Sequence, residues 1–558
     1  MNRREVLSRP AVADEAVAAE AVAAEAGSAA DRGKRLQSNM AAPGPSWTEI
    51  ITEPDVSDWP VLLHSECSLP QDVTELRESA RRRVVDVAQQ YVLRLTTAAD
   101  QAGLSVESLP RLTGDPDGKK IVMTGHQPVI FHGGLTYKYA ATEQLANAEA
   151  AIGIAVVIDT DTGDPCRLRF PRVAIAPDSQ PDNSCAIGEM SLSDPDSIFA
   201  FCSFLPEEQL LERVQAADCL LTPAVAPAVA ERFRSIMADY QRLASVGVKP
   251  SEANLIVRWH HGIGCRLLEI PLSAICSFPE VLRLTAGLLE RAGAFAAAYN
   301  DQLRLFRTAN GIQNEANPFP DLQITQDGPE LPFCVLDGQQ QMRSRLTVQK
   351  QNGTTELLAN GRPLEAFADH EAIGALDGLL LRNIQLIPRG ALITAFLRLL
   401  FADLFVHGTG GGHYDRFTGE FVKSWWRGEA SPFVVASASQ YLFAGKRDEI
   451  LRLEALQTQQ RDLMYNPQRH FGTGVFSPRL EQQLRELAQE KSRIVGILKA
   501  AHARGESAKD IGHQIQKISN RIRAAVADEF EGQLSELTSL TPDARAAIEC
   551  RTWPWFLR

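Results

Sequence analysis

The chain has 558 residues, enough for three or four structural units at roughly 150 residues each, with 44% hydrophobic and 23% charged residues. That balance excludes a small binding module, a fibrous chain and a mostly disordered one. Against 69 acidic residues stand 57 basic ones, so the net charge of −12 offers no general basic surface for nucleic acid or for an anionic membrane.

Residues 1–45 carry a near-repeat, Glu15-Ala-Val-Ala-Ala then Glu20-Ala-Val-Ala-Ala, followed by Gly, Ser and Pro. They are expected to form a disordered Ala-rich tail, and they lack the continuous apolar segment of a secretory signal. Residues 46–118 form an N-terminal helical segment. Over 73–103, Leu76, Val84, Val87, Ala88, Tyr91 and Leu95 keep one face at the helical period. The pattern then changes to strand (Ile121-Val-Met123), glycine-punctuated loop (Thr124 to Gly134), helix (Leu135 to Ala151) and strand (Ile152 to Ile158). Such a β-loop-α-β unit is a right-handed crossover between parallel strands, with ligands at the strands' carboxyl ends. It opens the first half of an α/β core over 119–290, with an insertion whose strand order is not readable.

A helical and small antiparallel β insertion spans 291–378. Its hairpin turns are marked by Asp337-Gly338, Asn352-Gly353 and Asn360-Gly361. The second half of the core, 379–445, runs through a helix at 390–401 to a strand at Leu404-Phe-Val406, then the glycine-rich loop His407-Gly-Thr-Gly-Gly-Gly-His413. The longest apolar stretch, Ala391 to Val406, is broken by Arg398 and Asp403 and is too short to span a bilayer. Over 446–540, Leu480, Leu484, Leu487, Ile494 and Leu498, and again Ile511, Ile515, Ile518, Ile522 and Val526, are spaced as the seams of an antiparallel helical coiled coil. The turn at Arg504-Gly-Glu-Ser separates the two runs, and 541–558 is a C-terminal tail. Nine cysteines with no CxxC pair suit a reducing cytosol, so a cytoplasmic location is expected.

The first loop carries Thr124, Gly125, His126, Gln127, His132, Gly133 and Gly134, and its following helix carries Lys138 in its first turns. Free N–H groups at a helix start attract an anion, and a cation there is unfavourable unless a phosphate or carboxylate compensates it. Asp159, Asp161 and Asp164 follow the second strand and could hold a ribose, an amine or Mg²⁺, or simply make an Asp-rich turn. The second loop holds His407, Gly408, Gly410, Gly411, Gly412 and His413, with Tyr414 and Asp415 beyond. It fails the dinucleotide fingerprint because His413 stands where GxGxxG needs its third glycine, and it lacks the GKS/T of a P-loop. Its histidines impose no ligand geometry, so no metal is expected. Arg382 and Arg389 could pair with carboxylate or phosphate. His260-His261 and His370-Glu371 match neither HExxH nor a nucleophile motif and are read as structural.

At these two loops the sequence resembles the family of the cysteine-adding enzyme of bacillithiol biosynthesis. That family's Thr-Gly-Gln-Gln-type loop and Gly-Pro-Leu-Tyr-type helix start are similar to Thr124-Gly-His-Gln-Pro128 and Phe131-His-Gly-Gly-Leu-Thr-Tyr137. Its acidic segment falls on Asp161 to Asp164, and its Leu-Arg-Pro segment on Leu381-Arg-Asn383. Its Gly-Gly-Pro-Gly-Glu loop falls on His407–His413, and its Arg-Ala-Ser strand on Val435-Ala-Ser-Ala-Ser439. His126 replaces the family's first Gln, and the second loop lacks the Glu. The resemblance spans residues 70–540 in element order but only short stretches in motif. It implies a Rossmann-like parallel-sheet core with α+β insertions and a C-terminal coiled coil. The implied activity is that of an amide-forming ligase joining a cysteine carboxyl to the amine of a glucosaminyl malate. Loops and resemblance together put His126, His132 and His413 in catalytic positions and the other loop residues, with Lys138, Asp161, Asp164, Arg382, Tyr414 and Asp415, in binding ones. The expected partners are small-molecule substrates and a second copy of the chain, with neither nucleic acid nor membrane. The cofactor is left open, with ATP or ADP as the nucleotide to test. The alternatives are a nucleotide-binding transferase or ligase of another pathway and a non-catalytic coiled-coil scaffold.

Overall fold

A computed structural model of the chain describes residues 48–106, 118–173, 185–264, 266–504 and 509–557. The Ala-rich tail and most of the turn at Arg504 lie outside the described residues. The fold is mixed α/β and divides into two compact units, the first ending its main span at Gln440 and reclaiming the chain from Arg551, the second built mainly from Tyr441–Cys550. In chain order the principal strands are β1 (Thr48–Glu53), β2 (Ile121–His126), β3 (Ile152–Val157), β4 (Leu268–Pro271), β5 (Gly328–Asp337), β6 (Met342–Gln351), β7 (Thr354–Ala359), β8 (Arg362–Ala368), β9 (Ile384–Pro388), β10 (Leu404–His407) and β11 (Phe433–Ser439). The helices that matter are α1 (Gln71–Gln101), α2 (Gly133–Ala148), α3 (Pro227–Ser245), α4 (Pro250–His260), α5 (Ala391–Leu400), α6 (Thr409–Trp426), α7 (Ala444–Tyr465), α8 (Pro478–Ala503) and α9 (Lys509–Ser539).

The central sheet of the first unit has the order β1-β11-β10-β2-β3-β4. All neighbours are parallel except β1, which runs antiparallel to β11. Short continuous apolar runs suit strands covered on both faces. Ile121, Met123, Ile154, Val156 and Phe405 pack on one side with Val84 and Ala88 of α1 and Phe417 and Phe421 of α6. Val122, Leu404, Val406 and Val434 pack on the other with Tyr137, Ala141 and Leu145 of α2. Helices α2 and α6 therefore cover opposite faces. From β2 the chain crosses through α2 to β3 on one side; from β10 it crosses through α6 to β11 on the other. The order reverses between β2 and β10, and the loops leaving these two strands part there at their carboxyl ends.

At the opposite end of the sheet Asp403 locks the scaffold. Its carboxylate accepts from the Ile121 N–H at 2.7 Å and from Arg81 at 2.8 Å, and it pairs with Arg77 at 3.3 Å. Arg77 also donates to the carbonyls of Arg398, Leu399 and Ala402, satisfying acceptors that the end of α5 leaves without partners.

Strand β2 continues three residues beyond the expected end, because pairing with β3 holds through His126 opposite Val157. The glycine run after β10 is not a loop. Helix α6 starts at Thr409, so Gly410, Gly411 and Gly412 form its first turn. Close packing, not chain freedom, requires two of these glycines: a Cβ on Gly411 would lie 2.7 Å from Nδ1 of His407, and one on Gly412 would lie 2.2 Å from Cγ2 of Val435.

The antiparallel sheet has the order β8-β7-β6-β5-β9. Asn352 and Gly353, and Asn360 and Gly361, have φ of 52° and 78°, and 49° and 76°. Those are the left-handed pairs that two-residue hairpins require. The turn after Asp337 is longer, with the Asp337 carboxylate accepting the N–H groups of Gln339 and Gln340. Strand β9, which lies in the span expected to begin the second half of the core, pairs antiparallel with β5 from Asp337 opposite Ile384 to Phe333 opposite Pro388. The insertion is thus five strands wide rather than small.

In the second unit α8 and α9 run antiparallel, with Ser477, just before α8, bonded to Glu529 at 2.7 Å and Glu490 paired with Arg521 at 3.8 Å. Leu480, Leu484, Leu487 and Ile494 share one core with Ile518, Ile522 and Val526, closed by Leu463 of α7. The two seams bury each other within one chain, so they do not themselves call for a second copy. Among the described residues no helix is long and apolar enough to cross a membrane.

Candidate functional site at the parting of two strands

Strands β2 and β10 pair in parallel with Thr124 opposite Val406, and the Thr124 hydroxyl donates to the Val406 carbonyl at 2.8 Å. Gly125, His126 and His407 therefore finish side by side at one end of the sheet. Lys138, on α2, reaches back to this end and donates from Nζ to the Gly125 carbonyl at 2.9 Å; it is only 3% exposed. Burial holds His126 well below the usual imidazole range, and the Lys138 charge adds to the effect. His407 is lowered mainly by burial as well, against the pull of Asp415, and it too senses Lys138. One enclosed ammonium thus stands near two neutral imidazoles. Nδ1 of His126 faces the Gln127 carbonyl at 3.1 Å, so it carries the proton and leaves the lone pair on Nε2. The N-terminal ends of α2 and α6 open at this same end, and their N–H groups add positive potential.

A narrow crevice beside β2 and β3 is lined by His126, Gln127, Phe131, Tyr139, Arg258 and Glu269, among others. Arg258 lies over the Phe131 and Tyr139 rings at 4.4 and 5.0 Å and pairs with Glu269 at 2.8 Å. Oε1 of Glu269 also accepts from the Trp259 indole at 2.9 Å, whereas Oε2 has no hydrogen-bond partner among the described residues. Gln127 donates to Asp161 at 3.1 Å, and Asp161 pairs with Arg343 of β6 at 3.0 Å. The antiparallel sheet thereby steadies the loop after β3. Asp159, at the root of that loop, accepts from the Ser273 N–H at 3.0 Å and its hydroxyl at 2.5 Å, while burial raises its carboxyl to about 6.

Several expected site residues do other work. His132 is the N-cap of α2, its Nδ1 accepting the Gly134 N–H at 3.1 Å, so Gly133 and Gly134 belong to a helical turn. Asp415 is 1% exposed and committed to His407 at 2.8 Å and Arg398 at 3.0 Å; the Arg398 charge and the His407 hydrogen bond hold its carboxyl far below the usual range despite burial. His413 is exposed on α6 with its ring 6.3 Å from Phe306, and Tyr414 faces Phe319 at 5.6 Å. Asp164 accepts from the Ser193 hydroxyl at 2.7 Å and the Cys166 N–H at 3.2 Å, an Asp-turn role. Arg382 pairs with Glu365 of β8 on the antiparallel sheet. The structure thus gathers Thr124, Gly125, His126, Gln127, Lys138 and His407, with Gly408 leading into α6, and links Asp161 to them.

Sequence reasoning missed Arg258, Glu269, Arg343 and Ser273. Each lies more than 100 residues from the loop it supports, and none stands in a motif; the only local hint was a glutamate inside the apolar run Leu267–Ile270. No protein-family model matches the chain, and no curated protein matches it.

Proposed function

We propose that the protein is an amide-forming ligase of the kind its two motifs resemble, joining a cysteine carboxyl to the amine of a glucosaminyl malate or a related acceptor. The proposal includes a Rossmann-like core, suggested by the reversal of strand order between β2 and β10, and a coiled coil formed by the C-terminal helices. The observation that carries the reading is the buried Lys138 ammonium at the carboxyl ends of β2 and β10. In an enclosed site such a charge stabilises a carboxylate, a phosphate or the oxyanion of a tetrahedral intermediate far better than in water. Nε2 of His126, unprotonated at neutral pH, is the base that would accept the proton an attacking amine gives up. The new C–N bond forms as the bond from the carboxyl carbon to its activating group breaks, and that group departs with the electron pair. ATP or ADP is the nucleotide to test as the source of activation.

The test is to incubate the full chain with cysteine, ATP and glucosaminyl malate and to follow the amide product by mass spectrometry. Product from wild type and little from His126→Ala supports the ligase. Absence of product with saturable nucleotide binding moves the protein to a transferase or ligase of another pathway. Absence of both leaves the scaffold reading.

A further inference from the structure

A second cluster of ligand-type side chains lies away from this site, where α3 meets the end of α4. One ring nitrogen each from His260 and His261 and a carboxylate oxygen of Asp239 all lie within 4.8 Å of one another. His260 is the last residue of α4 and His261 caps it, so both sit where the helix presents its negative end. Asp239 comes from α3 and is 1% exposed.

We propose that Asp239, His260 and His261 bind a divalent transition metal ion of the zinc class. Nε2 of His261 and Oδ2 of Asp239 are hydrogen-bonded at 2.9 Å, through a proton that a metal ion would replace. Bonds of about 2.0–2.1 Å in a tetrahedral zinc site put ligand atoms about 3.3 Å apart, so this pair is already at a separation one ion can bridge. With all three atoms within 4.8 Å of one another, closing the site takes a shift of at most roughly 1.5 Å, which the two partly buried histidine rings can supply against a fixed Asp239.

The outer contacts are those a metal site uses. Nδ1 of His260 faces the Ser105 carbonyl at 2.7 Å, an acceptor only, so this nitrogen carries the proton and Nε2 keeps the lone pair. Oδ1 of Asp239 is held by Arg242, leaving Oδ2 toward the histidines. The Trp555 ring lies 5.5 Å from His261 and shields one side. Two imidazoles and one carboxylate favour zinc, cobalt or nickel over magnesium or calcium, which prefer all-oxygen shells. Three protein donors leave a fourth position for water. The spacing was not readable as a motif because adjacent histidines acquire a third donor only when α3 folds alongside.

The full chain, freed of metal by a chelator and dialysed, is titrated with Zn²⁺ by calorimetry and with Co²⁺ by visible absorption. Wild type should take up one equivalent and give the intense absorption of four-coordinate cobalt. His260→Ala and His261→Ala should each weaken binding more than about 100-fold, since loss of outer partners alone costs about 10–100-fold. Both rings are partly exposed, so these variants keep the test sound if Asp239→Asn fails to fold. Uptake of no ion by wild type, or binding unchanged in both histidine variants, would overturn the assignment.

Discussion

Replacing Asp159 by asparagine should make the first unit more stable at neutral pH and remove a defined part of its pH dependence. The carboxyl is buried and its pKa is raised from 3.8 to about 6, chiefly by that burial, with the Ser273 hydrogen bonds opposing the shift. A raised carboxyl pKa means that the folded state binds the proton more tightly than the unfolded chain. Between about pH 4 and 6 the folded state therefore holds more protons, and stability falls as pH rises. The shift of a little over two units corresponds to about 3 kcal/mol, present below pH 4 and lost by about pH 7. Asparagine keeps the acceptor for the Ser273 N–H and offers its amide to the hydroxyl, without a charge to bury. The difference between Asp159→Asn and wild type should thus be near zero at pH 3.5 and approach 3 kcal/mol in the variant's favour at pH 7.5. Urea unfolding followed by tryptophan fluorescence reads this directly, because all seven tryptophans fall in sequence stretches of the first unit. A variant that is less stable than wild type at pH 7.5, or a difference independent of pH, would refute the reasoning.

Asp403→Ala should cost about 3–5 kcal/mol in the same assay, since it strands Arg77 and Arg81 near an orphaned Ile121 N–H. Gly412→Ala should cost about 1–3 kcal/mol because its Cβ meets Val435, whereas Gly419→Ala on the same helix has open space and should gain up to about 1 kcal/mol. Thermal melts of the pair would show whether the glycines serve packing or mere flexibility. Leu484→Ala should destabilise the second unit by about 2–5 kcal/mol, as its side chain is fully buried in the helical core. Sedimentation should show no change of oligomeric state, because the seams close within one chain.

The parts of the fold legible in the sequence were those written in local period and turn chemistry. Ile121-Val-Met123, the helix after Gly134 and Ile152–Val157 announced a crossover unit, and Asn352-Gly353 and Asn360-Gly361 announced hairpins. Where partners are remote, local patterns fail. Ile384–Pro388 falls in the span assigned to the second half of the core, yet its pairing with β5 is decided across some 50 residues. The run Gly410–Gly412 reads as a loop by composition, yet it is the first turn of α6, and Gly411 and Gly412 are glycine there because His407 and Val435 leave no room for a Cβ. In the candidate site, Lys138 and His126 were legible because strand, loop and helix are contiguous. Asp415 was legible only as a carboxylate; its commitment to Arg398 and His407 depends on the packing of α6 against α5.

On the function proposed above, Lys138 makes the parting of β2 and β10 an anion site. Calorimetric titration of wild type and Lys138→Met with ATP, ADP, cysteine and glucosaminyl malate tests it most directly. Wild type should bind at least one of these saturably, and the variant should bind it more than about tenfold more weakly, a loss of about 1.4 kcal/mol or more. Binding of none of the four by wild type, or equal binding by Lys138→Met, would contradict it.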